Sequence, residues 1–362
     1  MQNQRVVFEN NSGQSLSGIL DLPSDTPDAY ALFAHCFTCS KNLKAAGHIA
    51  RSLTDAGIAE LRFDFTGLGQ SEGEFADTNF SSNVDDLLSA VDYLEREHQA
   101  PAILVGHSLG GTAVLQAADR VPSAVAVATL ASPAAPTHVA HMLAGAEETL
   151  RDRGEAEVDL GGRPFLIRQQ FVDDLEAHDP LSSIGSLRKA LLIMHAPLDA
   201  IVEIDNASAL FAAAKHPKSF VSLDNADHLL SREADSRYAG RVLAAWASRY
   251  LPQPEDDEAI HAAEGEVVAR TEFPGFRTDI QAGTHHLLAD EPRSVGGSDL
   301  GPTPYDLLAA ALATCTTMTL GMYARHKKLD LRSASVTVTH DKIHASDCDD
   351  CESGDGKVDE FR

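Results

Sequence analysis

Three residues of this chain could do nucleophilic chemistry together. Ser108 lies in Gly106-His107-Ser108-Leu109-Gly110, between the apolar run Ile103–Val105 and a helix-forming stretch that opens at Gly110-Gly111-Thr112. A serine at such a strand-to-helix turn is pushed outward with its hydroxyl exposed, and the flanking glycines remove the Cβ atoms that would block so tight a turn. The same five residues could make an ordinary glycine-rich turn, but their place between strand and helix argues for the reactive geometry. The helix that follows turns its N-terminal N–H groups toward any oxyanion forming there. A serine hydroxyl is a weak nucleophile until a base takes its proton, and the base needs an acid to fix its tautomer and stabilise its charge. Asp199 and His228 supply those types, each just past a strand-like run, Ala190–His195 and Ser219–Leu223. Asp224 and Asp227 compete for the acid role because they lie nearer His228 in sequence. Asp199 is preferred because parallel-sheet topology brings the end of its strand beside the histidine loop. His107 reads as a packing residue of the turn rather than a base, His195 as a plain strand-end histidine, and Asp64 as the residue that fixes its own glycine turn.

The five cysteines are the second source of chemistry. Cys36/Cys39 and Cys348/Cys351 have C-x-x-C spacing, which suits a redox dithiol or half a zinc site, and Cys315 lies in a long helical stretch. Five cysteines in 362 residues do not make a disulfide scaffold and are expected as reduced thiols. Cys348 and Cys351 sit among Asp347, Asp349, Asp350 and Glu352, whose charges raise a thiol pKa and disfavour a reactive thiolate. His340 and His344 are near enough in sequence to complete a weak metal site with them; unpaired loop cysteines are the leading reading. No metal is assigned and no cofactor is expected.

Residues 4–22 read as a hairpin around Asn10–Gly13. Strands follow at 29–34, 58–63, 103–105, 124–130, 190–195 and 219–223, alternating with helices at 44–56, 83–97, 112–118, 206–214 and 234–250. That alternation implies parallel pairing with right-handed crossovers, hence an α/β, doubly wound, mostly parallel sheet. Residues 133–186 interrupt the rhythm and read as a short helical lid inserted over the strand ends. The proline- and acid-rich stretch 252–264 is a linker, which bounds a first domain at 1–251. Beyond it, 267–280 and 285–290 read as antiparallel strands, 306–327 as a long helix and 334–340 as an edge strand. Residues 265–362 thus read as an α+β domain, one that the resemblance given below implies is incomplete.

The net charge of −25 should repel nucleic acid and anionic membranes. No long uncharged apolar run suggests a membrane span, and the N-terminus lacks the apolar core of a signal peptide. A cytoplasmic protein acting on a small-molecule acyl substrate is expected.

Residues 1–251 resemble the α/β-hydrolases of the serine aminopeptidase-like and acyl-esterase-like group. The resemblance rests on His35-Cys-Phe, Asp64-x-x-Gly-x-Gly-x-Ser71, Gly106-x-Ser-x-Gly110, Pro197-Leu-Asp199 and Asp227-His228. It implies Ser108 as nucleophile, Asp199 as acid and His228 as general base, in the chain order of that fold. It also implies an oxyanion hole from the backbone N–H groups of Phe37 and Leu109. Cys36 departs from the family, which usually has glycine after the first histidine; it either narrows the oxyanion loop or puts a thiol beside the site.

Residues 265–362 resemble the first part of an OsmC-like domain, related to the organic hydroperoxide resistance proteins, through the stretch Gly301–Met318. The resemblance makes Cys315 a possible peroxidatic thiol and implies a homodimer if the domain is whole. Tyr305 stands where active relatives carry a glutamate, and the resolving cysteine of the later half is missing, so the domain reads as truncated. The resemblances together imply a serine hydrolase that cleaves an ester, thioester or small amide through an acyl-enzyme, fused to an OsmC-like thiol redox domain. One alternative is a thiol-dependent hydroperoxide-reducing protein centred on Cys315. Another makes the OsmC-like part a dimerisation or binding module only.

Overall fold

In the computed structural model the chain divides into two compact units, Met1–Gln253 and Pro254–Arg362. The structure describes all residues except 1, 24–25, 161, 180, 182–183, 252–259, 272, 298 and 345–356. Cys348 and Cys351 lie outside the described residues.

The first unit begins with a hairpin, β1 (Gln2–Glu9) and β2 (Ser15–Leu22), followed by β3 (Ala29–Ala34), helix α1 (Lys44–Thr54) and β4 (Ile58–Phe63). Helix α2 (Phe80–Glu97) leads to β5 (Ile103–His107), α3 (Leu109–Ala117) and β6 (Ala126–Leu130). An insertion then carries α4 (Glu147–Arg153), the hairpin β7 (Glu155–Asp159) and β8 (Pro164–Arg168), and α5 (Gln169–Glu176). Strand β9 (Ala190–His195), α6 (Asp205–Ala213), β10 (Lys218–Ser222) and α7 (Glu233–Ala247) complete the unit.

Strands β1–β6, β9 and β10 form one sheet in the order β1-β2-β4-β3-β5-β6-β9-β10. The β1/β2 and β2/β4 pairs are antiparallel; from β4 to β10 every pair is parallel. Every residue of β3, β4, β5, β6 and β9 is buried, as expected of parallel strands covered on both faces. Side-chain alternation divides these residues between two cores. Leu32, Leu61, Leu104, Val127 and Ile193 pack with Leu87, Val114 and Leu210 of α2, α3 and α6 on one face. Phe33, Ile58, Val105, Ala128 and Met194 pack with Ile49 and Leu243 of α1 and α7 on the other.

Register delivers the strand ends to one edge. Ala34 pairs with Gly106, His107 with Leu130, Leu130 with Met194, and His195 with Ser222. The loops after β3, β5, β9 and β10 therefore leave the sheet side by side at its carboxyl edge, beside the β3/β5 reversal of strand order where open α/β sheets form their crevice.

The segment expected as a helical lid also contains the β7–β8 hairpin, which closes on the positive-φ Gly162 (φ 82°), whose N–H donates to Asp159 Oδ1 (2.8 Å). The residues alternate there with period two, Ala156 and Ile167 buried against exposed Glu157 and Leu166, a pattern too short to stand out among helix-prone neighbours.

In the second unit β11 (Val267–Thr271), β12 (Thr278–Ala282) and β13 (His285–Ala289) form an antiparallel sheet. The single strand expected over 267–280 is broken at Phe273-Pro274-Gly275, since proline offers no N–H to a ladder. Helix α8 (Pro304–Lys327) starts at a capping box in which Thr303 and Asp306 bond each other's backbone N–H. The edge strand expected at 334–340 is not formed; β14 begins at His340 and runs to His344, paired with β15 (Lys357–Phe361). Thr339 exchanges backbone hydrogen bonds with Arg362, but among the described residues no ladder reaches Ser335–Val338, and pairing decides where a strand starts. Against the expectation of no membrane-length apolar run, α8 is long and apolar enough by length and composition to cross a bilayer. Leu308, Leu312, Met318, Leu320, Met322 and Tyr323 are exposed along it.

Candidate active site

Ser108 occupies the sharp turn between β5 and α3 with φ 54° and ψ −127°, a positive-φ conformation that costs a non-glycine residue about 1–3 kcal/mol. Its neighbours show why the turn needs glycine. A Cβ on Gly106 would lie 2.3 Å from the Gly110 carbonyl oxygen, and one on Gly110 would lie 2.3 Å from that of Ala34. The turn is pinned from below by the Ser108 N–H, which donates to the Leu130 carbonyl (2.9 Å). Leu109 begins α3 immediately after it.

Asp199 follows β9 and His228 follows β10. His228 Nδ1–H donates to Asp199 Oδ2 at 2.8 Å. The other carboxylate oxygen of Asp199 accepts the N–H groups of Ile201 (2.9 Å) and Val202 (3.0 Å). Burial alone would raise the Asp199 pKa, but the bonds from His228 and these two N–H groups outweigh it and hold the carboxyl below its ordinary value. An ionised carboxylate is an acceptor only, so the proton in this contact sits on Nδ1 and leaves Nε2 of His228 free to accept. Asp224 is exposed and accepts from Ser222 Oγ–H, and Asp227 accepts the Ser231 N–H.

Ser108 and His228 line one cavity of about 280 Å³ together with Cys36, Phe37 and Cys39. Its far wall comes from the insertion and the β9 loop and is mostly apolar, including Val139, Met142, Leu160 and Val202. His138 of the insertion donates its Nε2–H to the Ile201 carbonyl (2.8 Å). Arg163, at the tip of the β7–β8 hairpin, donates from Nη2 to the Thr38 carbonyl (2.7 Å).

The loop after β3 carries Phe37, whose ring packs against Phe75 and Phe171. It is fastened at its far end by Lys41, fully buried and ion-paired with Asp64, and by Arg62, which donates to the Lys41 carbonyl. Asp64 also accepts the N–H groups of Lys41 (2.7 Å) and Gln70 (2.9 Å), so it fixes both this loop and the Gly67–Gly69 turn. No sequence signal pointed to Lys41: a lone lysine in a polar loop reads as solvated. Cys36 and Cys39 are joined as a disulfide, which corrects the expectation of reduced thiols. Three-residue separation on one tight turn brings the two sulfurs together without any global scaffold.

Three further histidines surround the site, and all are buried. His107 Nε2–H donates to the His228 carbonyl (2.7 Å), His195 Nε2–H to that of Val202 (2.8 Å), and His35 Nδ1–H to that of Cys36 (2.7 Å). Burial depresses the pKa of each; for His107 burial and the nearby His228 bring it to about 4. They are neutral scaffolding around the loops at neutral pH.

In the second unit Cys315 is exposed on α8. Tyr305 stacks on His340 (4.1 Å between ring centres), and His340 Nε2–H donates to Asp359 Oδ1 (2.8 Å). A metal role for His340 therefore competes with a carboxylate already in place, and no metal-binding cluster occurs among the described residues.

The sheet order, the turn at Ser108 and the carboxyl-edge crevice define an α/β-hydrolase. Residues 26–188 match the family model for serine aminopeptidase, S33, and residues 296–358 match that for OsmC-like protein. The chain is similar to the solved esterase domain of a Rhodothermus marinus protein, with 54% identity and a TM-score of 0.60, over 70% of this chain and 100% of that one. It is 30% identical to the mouse (Mus musculus) mitochondrial palmitoyl-protein thioesterase ABHD10 over 186 residues, covering 49% of this chain and 62% of the relative. It is 34% identical to human (Homo sapiens) monoglyceride lipase over 127 residues, covering 34% of this chain and 41% of the relative. The chain thus spans less than two thirds of the length of these two curated relatives. It belongs to the S33 serine aminopeptidase-like α/β-hydrolases and carries an OsmC-like region after the hydrolase unit; it is an esterase- or lipase-type hydrolase.

Proposed function

We propose that the first unit hydrolyses an ester or thioester of a small or medium acyl group through an acyl-enzyme on Ser108. The carrying observation is the 2.8 Å Asp199–His228 contact at the cavity that Ser108 lines. With Nδ1 donating to Asp199, Nε2 of His228 takes the Ser108 proton as Oγ attacks the acyl carbon. The oxyanion is received by the N–H groups of Leu109, at the start of α3, and of Phe37. His228 then protonates the leaving group, and a water activated by the same nitrogen cleaves the acyl-enzyme. The apolar wall suits an acyl chain, and the thioesterase and lipase among the relatives favour esters and thioesters over amides.

The test is turnover of a chain-length series of p-nitrophenyl esters by wild type and Ser108→Ala. Loss of turnover in the variant is expected, and retention of turnover would overturn the assignment. The length optimum sizes the cavity.

For the second unit the reading that follows from the OsmC-like match and the exposed Cys315 is a thiol that reduces hydroperoxides. Attack of its thiolate on a peroxide oxygen gives a sulfenic acid and an alcohol. Hydroperoxide consumption that persists in Cys315→Ser would rule this out. The exposed apolar side chains of α8 support association of two copies through this unit. Sizing chromatography of the full chain against a chain lacking 265–362 tests it; equal oligomeric state would dismiss it.

A further inference from the structure

We propose that Cys36 and Cys39 are a thiol–disulfide exchange site in the wall of the acyl pocket, and that its redox state sets the rate of hydrolysis. The proposal rests on the acyl-enzyme reading of Ser108. Both cysteines line the cavity that Ser108 and His228 line. The disulfide closes a ring that contains Phe37, the residue whose N–H receives the oxyanion, and Thr38. The loop is also held by hydrogen bonds to two carbonyls of the ring and by an ion pair just beyond it. His35 donates to the Cys36 carbonyl, Arg163 to that of Thr38, and Lys41 is paired with Asp64. Within the ring, the backbone bond among the described residues is Cys39 N–H to the Cys36 carbonyl, at 3.2 Å. The disulfide is the covalent tie across the peptide that carries the Phe37 N–H, and it acts together with the two hydrogen bonds on the Cys36 carbonyl of that same peptide.

Its placement argues against a general staple. A bridge between residues three apart removes little loop-closure entropy, because the closed loop is so short. Its effect is local, and what is local to it is the oxyanion loop. Access differs between the two residues: Cys36 is 6% exposed, whereas Cys39 is half-buried. An incoming thiolate of a small dithiol attacks the Cys39 sulfur and the Cys36 sulfur leaves as a thiolate, which takes a proton. The second thiol of the reagent then attacks the mixed disulfide, closes the reagent's own disulfide and releases Cys39 as a thiolate, which is protonated in turn. Two electrons and two protons pass from dithiol to protein; a small-molecule disulfide drives the reverse exchange.

The oxidised form holds the Phe37 N–H in place and is the faster hydrolase. Release of one oxyanion donor costs up to about 10²–10³ in kcat, and a loop still held by its hydrogen bonds loses part of that, about tenfold or more.

The experiment uses the full chain. Turnover of a p-nitrophenyl ester is measured in oxidised and reduced dithiothreitol, with alkylation and mass measurement reporting the state of the pair and a fluorophosphonate probe reporting Ser108. A kcat that falls about tenfold or more on reduction and recovers on reoxidation is expected. The double variant Cys36→Ser/Cys39→Ser, or Cys39→Ser alone if the double variant does not fold, should be fixed at the reduced rate. Cys315→Ser should leave the response to the reductant in place. A rate that is unchanged or rises while the pair is shown to be reduced overturns the proposal, as does a pair that stays unbridged under oxidised dithiothreitol. Absence of both turnover and Ser108 labelling in either state instead overturns the acyl-enzyme reading, and this inference with it.

Discussion

Replacing Asp199 by asparagine isolates what the carboxylate does from what it holds up. An asparagine oxygen can still accept the N–H groups of Ile201 and Val202, now bonded at 2.9 and 3.0 Å, so the loop after β9 should persist. The remaining amide group would then face His228 Nδ1, at the position where Oδ2 now accepts at 2.8 Å. Two donors cannot share that contact, so His228 would move its proton to Nε2. That nitrogen would then be a donor where Ser108 needs an acceptor. The corresponding change in a serine protease triad costs about 10⁴ in kcat. At about 1.4 kcal/mol per decade that is roughly 5–6 kcal/mol of transition-state stabilisation. Little of it should be a folding effect, because losing a charged acceptor for one hydrogen bond costs about 1.5–3 kcal/mol of stability. The assay is kcat and KM on a p-nitrophenyl ester, with urea unfolding of both proteins as the control for folding. A kcat within tenfold of wild type in a folded variant, or a loss confined to KM, would refute the tautomer argument.

Gly110→Ala places a Cβ 2.3 Å from the Ala34 carbonyl and 2.5 Å from that of His35, both of them backbone atoms that cannot swing aside. It should cost about 1–3 kcal/mol of stability or more, and an unchanged urea midpoint would show that the turn has slack. His107, held near pKa 4 when folded, is neutral in the native state while the unfolded chain protonates near 6.5, so its contribution is present above about pH 6.5 and is lost as pH falls toward 4. Relative to His107→Gln the wild type should lose roughly 3 kcal/mol over that window, and parallel pH–stability curves for the two proteins would contradict it. Glu60 on β4 is buried with both carboxyl oxygens unpartnered among the described residues, and burial, reinforced by Asp21, raises its pKa well above the ordinary value. Its stability contribution is therefore full below the unfolded value of about 4.5 and is lost as pH rises through the folded one. Glu60→Gln should gain stability over wild type as pH rises above about 4.5, and a difference independent of pH would count against a titrating Glu60.

How far the sequence could be read depended on whether a constraint was local. The turn at Ser108 was legible because its glycines are required by atoms within a few residues, and the alternation of strands and helices was legible because both faces of the sheet are covered. The choice among Asp199, Asp224 and Asp227 needed topology: neighbours in sequence to His228 point elsewhere, while a residue 29 positions away meets it because β9 and β10 pair in parallel. What stayed hidden depends on tertiary context. The β7–β8 hairpin is two five-residue strands paired only with each other, and its pattern was too short to separate from helix. The strand expected at 334–340 begins only at His340 because its partner, Lys357–Phe361, fixes the register. Lys41 could not be distinguished from a surface lysine until Asp64 and Gln70 were seen to enclose it.

That lysine bears on how the site is assembled. Ser108, Asp199 and His228 each leave the end of a sheet strand within a residue, four residues or six residues, so the sheet itself sets their spacing. The Phe37 loop is different: nine residues separate the end of β3 from α1, and no ladder runs through them. A buried Lys–Asp pair is a poor source of net stability, because desolvating both charges offsets most of their attraction. It is a strong source of geometry, since either partner left alone would be an unpaired buried charge, costing about 3–5 kcal/mol. Lys41 and Asp64, with the Cys36–Cys39 bridge, therefore do for the Phe37 loop what strand register does for the other three residues: they exclude the alternative conformations that a loop of this length would otherwise sample.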